Sequence, residues 1–130
     1  MRTQRLLALA VSCTLLILAA ACSSYKNSTP IEAFQTVYYA IKKKDVAALK
    51  KVIQKSRLEV MQKRAEADKK NFDEMLKEDL SKGPPMPDSV PETRNVKIEG
   101  DRATLEYKMG EKWENAVFVK EEDGWKVARL

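Results

Sequence analysis

Residues 93–130 read TRNVKIEGDRATLEYKMGEKWENAVFVKEEDGWKVARL, and the period of this stretch decides the fold. Val96 and Ile98 alternate with charged or polar neighbours, and Ala103, Leu105, Tyr107 and Met109 alternate with Thr104, Glu106 and Lys108. A period of two is strand spacing. Gly100-Asp101 suits a tight hairpin turn, Gly110-Glu111-Lys112 turns the chain again, and Asp123-Gly124 makes the next hairpin. Trp113 to Lys120 is expected as a third strand with apolar residues on both faces, Trp113, Val117 and Val119 on one and Ala116 and Phe118 on the other. Trp125-Lys126-Val127 opens a final strand that ends at Leu130. Four strands joined by tight turns predict an antiparallel meander.

Upstream of this stretch, Gly83-Pro84-Pro85-Met86-Pro87-Asp88-Ser89-Val90-Pro91 excludes both helix and central strand. Before it the period is helical. Thr29-Pro30-Ile31-Glu32 is a capping box with proline at the first helical position, and Ile31, Phe34, Val37, Tyr38 and Ile41 share a face, so the first helix is expected over 30–43. Asp45 caps a second, short helix ending near Lys55. Ser56-Arg57-Leu58-Glu59 repeats the capping-box pattern and predicts one long helix to about Ser81. Its middle is poor in apolar residues, with Ala65 and Ala67 alone between Gln62 and Asn71. The pairs Glu59–Lys63, Glu66–Lys70, Asp73–Lys77 and Glu78–Lys82, each four apart, are expected to hold it in solvent. The expectation is a single α+β domain over 29–130: three helices (30–82), a connector (83–92) and a four-stranded antiparallel sheet (93–130), with the helices on one sheet face.

Residues 1–21 have a different character. Arg2 and Arg5 precede an apolar run from Leu6 to Ala20, and Ala19-Ala20-Ala21 offers a small-residue cleavage site. This is a secretory signal pattern, too short for a comfortable membrane span. The alanines alone would satisfy an ordinary signal, yet Cys22 follows them directly. With Cys22 the stretch resembles the lipobox of bacterial lipoproteins. That resemblance implies cleavage before Cys22, a diacylglyceryl group on its thiol, and residues 22–28 as a lipidated tether. One acyl chain binds a membrane marginally and two or more hold firmly. The expected location is therefore the cell envelope, on a membrane surface, and the outer membrane facing the periplasm in a Gram-negative cell. The competing reading of the same residues is a secreted protein whose Cys22 stays a thiol or pairs with another chain.

A second resemblance is carried by Thr29-Pro30, Ala33-Phe34, the run Tyr38-Tyr39-Ala40-Ile41-Lys42-Lys43-Lys44-Asp45, Val96 to Thr104, and Lys120 to Val127. These segments resemble small bacterial lipoproteins of unassigned function with a cystatin-like or nuclear-transport-factor-2-like cone. Lys44 stands where that family often has glycine. The resemblance implies helices packed into a curved sheet and a pocket, here expected to be lined by Phe34, Tyr38, Leu105, Tyr107, Val117 and Trp125, that would take a small apolar ligand.

Chemistry is scarce in this chain. Histidine is absent, which removes the usual general base and the commonest metal ligand. Cleavage before Cys22 would leave one cysteine, too few for a cysteine-bound zinc. The 24 basic residues fall to 22 without Arg2 and Arg5, against 19 acidic ones, and a net charge of +3 does not describe a nucleic-acid binder. No cofactor or metal is expected. The expected function is a membrane-anchored, non-catalytic binding or protein-interaction module. Two alternatives stand beside it: a cone-fold enzyme with a tyrosine-carboxylate pocket built on Tyr38, Tyr39 or Tyr107, and a structural lipoprotein that dimerises through its sheet. The two-faced third strand suggests that its outer face is covered by a second copy, by another envelope protein or by the proline connector.

Overall fold

The computed structural model describes residues 25–130, so the signal segment and Cys22 lie outside the described residues. Helices α1 (Pro30–Lys43), α2 (Val46–Val52), α3 (Lys55–Ala67) and α4 (Phe72–Lys82) precede strands β1 (Thr93–Glu99), β2 (Arg102–Met109), β3 (Lys112–Glu121) and β4 (Gly124–Arg129). The strands form one antiparallel sheet in the order β1-β2-β3-β4. The α+β class and the meander are as expected; the helices among the described residues are four and not three.

α1 begins where the capping box places it. The Thr29 hydroxyl accepts from the Glu32 N–H at 3.1 Å, and the Glu32 carboxylate accepts from the Ser28 N–H at 2.9 Å. At its other end Lys44 takes a left-handed φ of 54°, with its N–H on Ile41 O and the Asp45 N–H on Ala40 O. This is the turn that usually carries glycine. Asp45 then caps α2 by accepting from the Ala48 N–H at 3.0 Å.

The predicted long helix is broken at Asp68–Asn71. Lys69 turns left-handed at φ 54°, the Lys70 N–H closes on Ala65 O, and Asn71 caps a new helix by accepting from the Asp73 and Glu74 N–H groups. The reason is burial. A straight helix would leave Met75 and Leu76 in solvent, whereas the break folds α4 back against α3 and α2 and buries both, together with Ala65. The expected ion pairs are redistributed accordingly: Glu78–Lys82 forms, but Lys70 turns to Glu78 at 2.9 Å and Asp73 to Lys50 at 2.7 Å. Ser56 is not the cap of α3. The helix starts at Lys55, whose N–H reaches the Glu121 carboxylate of β3 at 3.2 Å.

One hydrophobic cluster joins the layers. Phe34, Val37, Leu49 and Val52 from the helices meet Ala103, Leu105, Ala116, Phe118, Trp125 and Val127 from the sheet. Ala103 pairs with Phe118 and Leu105 with Ala116, which fixes these residues on the helix-covered face. Register shifts put an extra residue in β1 between Arg94 and Lys97 and in β4 between Val127 and Arg129, and such bulges increase local twist.

Candidate functional site

Five of the six residues expected to line a pocket, Phe34, Tyr38, Leu105, Val117 and Trp125, are at most 5% exposed. Phe34, Leu105 and Trp125 share the core cluster, and Tyr107 packs on it with its ring centroid 5.1 Å from that of Phe34. Val117 departs from the expectation. It pairs with Thr104 between the core-facing Ala116 and Phe118, so strand alternation turns it to the opposite face. Tyr38 is directed at the connector: its hydroxyl donates to Pro87 O at 2.5 Å and accepts from Lys42 Nζ at 3.0 Å, and Lys42 also donates to Asp88 O at 2.5 Å. This clamp holds residues 83–92 along α1, with Val90 packed on the core. The connector therefore covers the helical side and not the outer sheet face. There, Trp113 is covered by the Arg94 guanidinium, 3.8 Å from its ring centroid.

The electrostatics give no pocket acid. Among the described residues no aspartate or glutamate is buried. Hydrogen bonds from Arg94 and Asn95 hold the Glu106 carboxyl below its usual range, and a hydrogen bond from Lys126 does the same for Asp123. Burial, then the Glu114 charge, pushes the Tyr107 phenol up. Among the described residues no group of three or more His, Cys, Asp or Glu side chains is placed to hold a metal ion, and no helix is long and apolar enough to cross a membrane.

Two clefts are formed largely by other residues. One, of about 430 Å³, lies between the ends of α1 and α4 and the connector, lined by Ile41, Lys42, Leu80 and Met86 among others. The second, of about 400 Å³, includes Asn95, Lys97, Thr104, Glu106 and Asn115, with Leu105 at its wall.

The more informative feature is the contrast between the two sheet edges. β4 is closed by its own chain. The Trp125 N–H donates to Asn27 O at 2.8 Å, the Gln54 N–H donates to Val127 O at 2.9 Å, and the Arg57 guanidinium reaches Ala128 O at 3.0 Å. β1 has no strand beyond it among the described residues. The helices pack on β2 and β4, so Val96 and Ile98, on the same face as the core residue Ala103, are left 38% and 58% exposed. An unpaired strand edge thus lies beside uncovered apolar side chains. Sequence alternation placed Val96 and Ile98 on one face, but no sequence signal said that the helices would stop short of them.

Comparison of the chain with family models, with curated proteins and with solved structures finds no match in any of the three.

Proposed function

We propose that this protein is a lipid-anchored lipoprotein of the bacterial envelope, and that its domain, a cystatin-like or nuclear-transport-factor-2-like cone, is a non-catalytic protein-interaction module. The observation that carries the interaction reading is the open β1 edge with Val96 and Ile98 exposed beside it. Strand addition to such an edge supplies affinity through main-chain hydrogen bonds and specificity through alternate side chains.

The anchor rests on the lipobox resemblance at Cys22, and the start of the domain supports it. Tyr25 already packs on the core, Lys26 O accepts from the Thr36 hydroxyl at 2.7 Å, and Asn27 is bonded to β4. Residues 25–28, expected as tether, thus belong to the body. Only Ser23 and Ser24 lie between Cys22 and Tyr25, so an extended chain spans at most about 11 Å between them. The lipid would hold the domain against the bilayer, with Tyr25, Lys26 and Tyr39, which line one cleft, nearest the headgroups. Aromatic and basic side chains suit that depth.

The test is intact-mass analysis of the membrane-extracted protein beside Cys22→Ala. Wild type is expected to carry lipid-sized additional mass and to sediment with membranes, while Cys22→Ala loses both. An unmodified wild-type mass would end the anchor reading.

A further inference from the structure

We infer that the β1 edge pairs with the β1 edge of a second copy of this chain, antiparallel and centred on Ile98, to make one continuous eight-stranded sheet. The inference deepens the interaction reading above and rests on it.

The hydrogen-bond pattern of the β1–β2 hairpin selects the residues that can pair. Glu99 and Arg102 flank the two-residue turn Gly100-Asp101, so Glu99–Arg102 and Lys97–Thr104 are the hydrogen-bonded pairs and Ile98–Ala103 is the pair between them. The N–H and C=O of Ile98 therefore point away from β2, toward the open edge. An antiparallel partner must bond to these outward groups.

Self-pairing then has three short registers, and the side chains separate them. Centring on Lys97 sets Lys97 directly opposite its own copy, a like-charge contact. Centring on Val96 sets Lys97 opposite Asn95, which sits in the bulge at a left-handed φ of 52° and breaks the ladder. Centring on Ile98 sets Ile98 opposite Ile98, and on the other face Lys97 opposite Glu99 and Glu99 opposite Lys97. Both charge pairs fall at non-hydrogen-bonded positions, where facing side chains lie closest. This register alone combines charge complementarity with apolar contact on the helix-side face.

The arrangement also closes. A two-fold axis normal to the sheet puts both helical layers on the same side and brings the exposed Ile98 side chains together. The bulge at Asn95 ends the pairing, and the far edge of each copy is already occupied by Asn27 and Gln54. Assembly therefore stops at two copies and does not run on as a filament.

Sedimentation equilibrium of the detergent-purified protein tests the register by charge exchange. Wild type is expected to show a concentration-dependent monomer–dimer equilibrium. K97E and E99K each place like charges opposite one another twice, and each is expected to weaken association by about tenfold. The double variant K97E/E99K restores opposite charges and is expected to return to within about threefold of wild type. Both substitutions are at exposed positions, and circular dichroism checks that each variant is folded. A wild type that remains monomeric throughout, or a double variant no stronger than the singles, would overturn the self-pairing. Hydrogen exchange of the Val96 and Ile98 amides in envelope extracts separates the two levels of the reading. Protection in a complex holding one copy of this chain overturns self-pairing and leaves the interaction edge standing; full exchange overturns both.

Discussion

The main-chain N–H of Trp125 donates to the main-chain carbonyl of Asn27 at 2.8 Å, and the Asn27 side chain donates to Asp123 O at 3.1 Å. The first residues of the domain are thereby bound to the last hairpin. This closes the β4 edge and, with the Thr36 hydroxyl on Lys26 O, holds residues 26–27 against the folded body.

Gly124 is what permits that approach. Its φ is +121°, and a Cβ there would lie 2.7 Å from Asn27 O and from the Asn27 side chain. Gly124→Ala is expected to cost about 1–3 kcal/mol, from the unfavourable backbone region and the displaced segment together. Chemical denaturation measures the loss. Faster tryptic cleavage after Lys26 in native buffer would show that the segment has come away.

Lys126 closes the other part of the same edge. Its residue is only 4% exposed, its ammonium donates to Lys51 O in the last turn of α2, and it lies 2.7 Å from Asp123 Oδ2. A cation on the terminal carbonyls of a helix satisfies an orphan acceptor and opposes the dipole. Lys126→Met keeps the stem and removes the donor, and a loss of about 1–3 kcal/mol is expected. Asp123→Asn, which leaves the Lys51 contact in place, is expected to cost less; equal losses would show that the exposed ion pair dominates.

Lys44 occupies a left-handed position at the end of α1. A side chain there costs roughly 1–2 kcal/mol, partly offset by the greater unfolded-state freedom of glycine. Lys44→Gly is expected to raise stability by about 0.5–1 kcal/mol. An unchanged or lower melting temperature would mean that Lys44 makes compensating contacts.

Acid should loosen α4. Hydrogen bonds from Lys82, then Lys70, lower the Glu78 carboxyl from the usual 4.5 to about 2. A folded-state value below the unfolded one stabilises fully above the unfolded value and is lost as pH falls through the folded one. The Glu78 contribution is therefore present above pH 4.5 and disappears toward pH 2. Glu78→Gln is expected to make the fall of melting temperature over that window shallower. Some slope persists, because Glu106 and Asp123 are also lowered.

Local signals in this chain act over a few residues, and these are the ones that could be read without a structure. Thr29 and Asp45 cap helices because their side-chain oxygens reach main-chain N–H groups three residues on. The alternation from Ala103 to Met109 and the turns at Gly100, Gly110 and Gly124 specify hairpins through neighbouring backbone geometry. The α+β class follows from these alone.

The break at Lys69 and the exposure of Ile98 were settled elsewhere. Each depends on which surfaces meet: α4 turns back because Met75 and Leu76 gain burial there, and the helical layer reaches β4 through Trp125 and Val127 but stops before β1. Apolar burial has no direction and no sequence range, so its outcome depends on the whole packed assembly. Thus the order and kind of the elements were written in the chain itself, while the choice of one closed and one open sheet edge came only with tertiary packing.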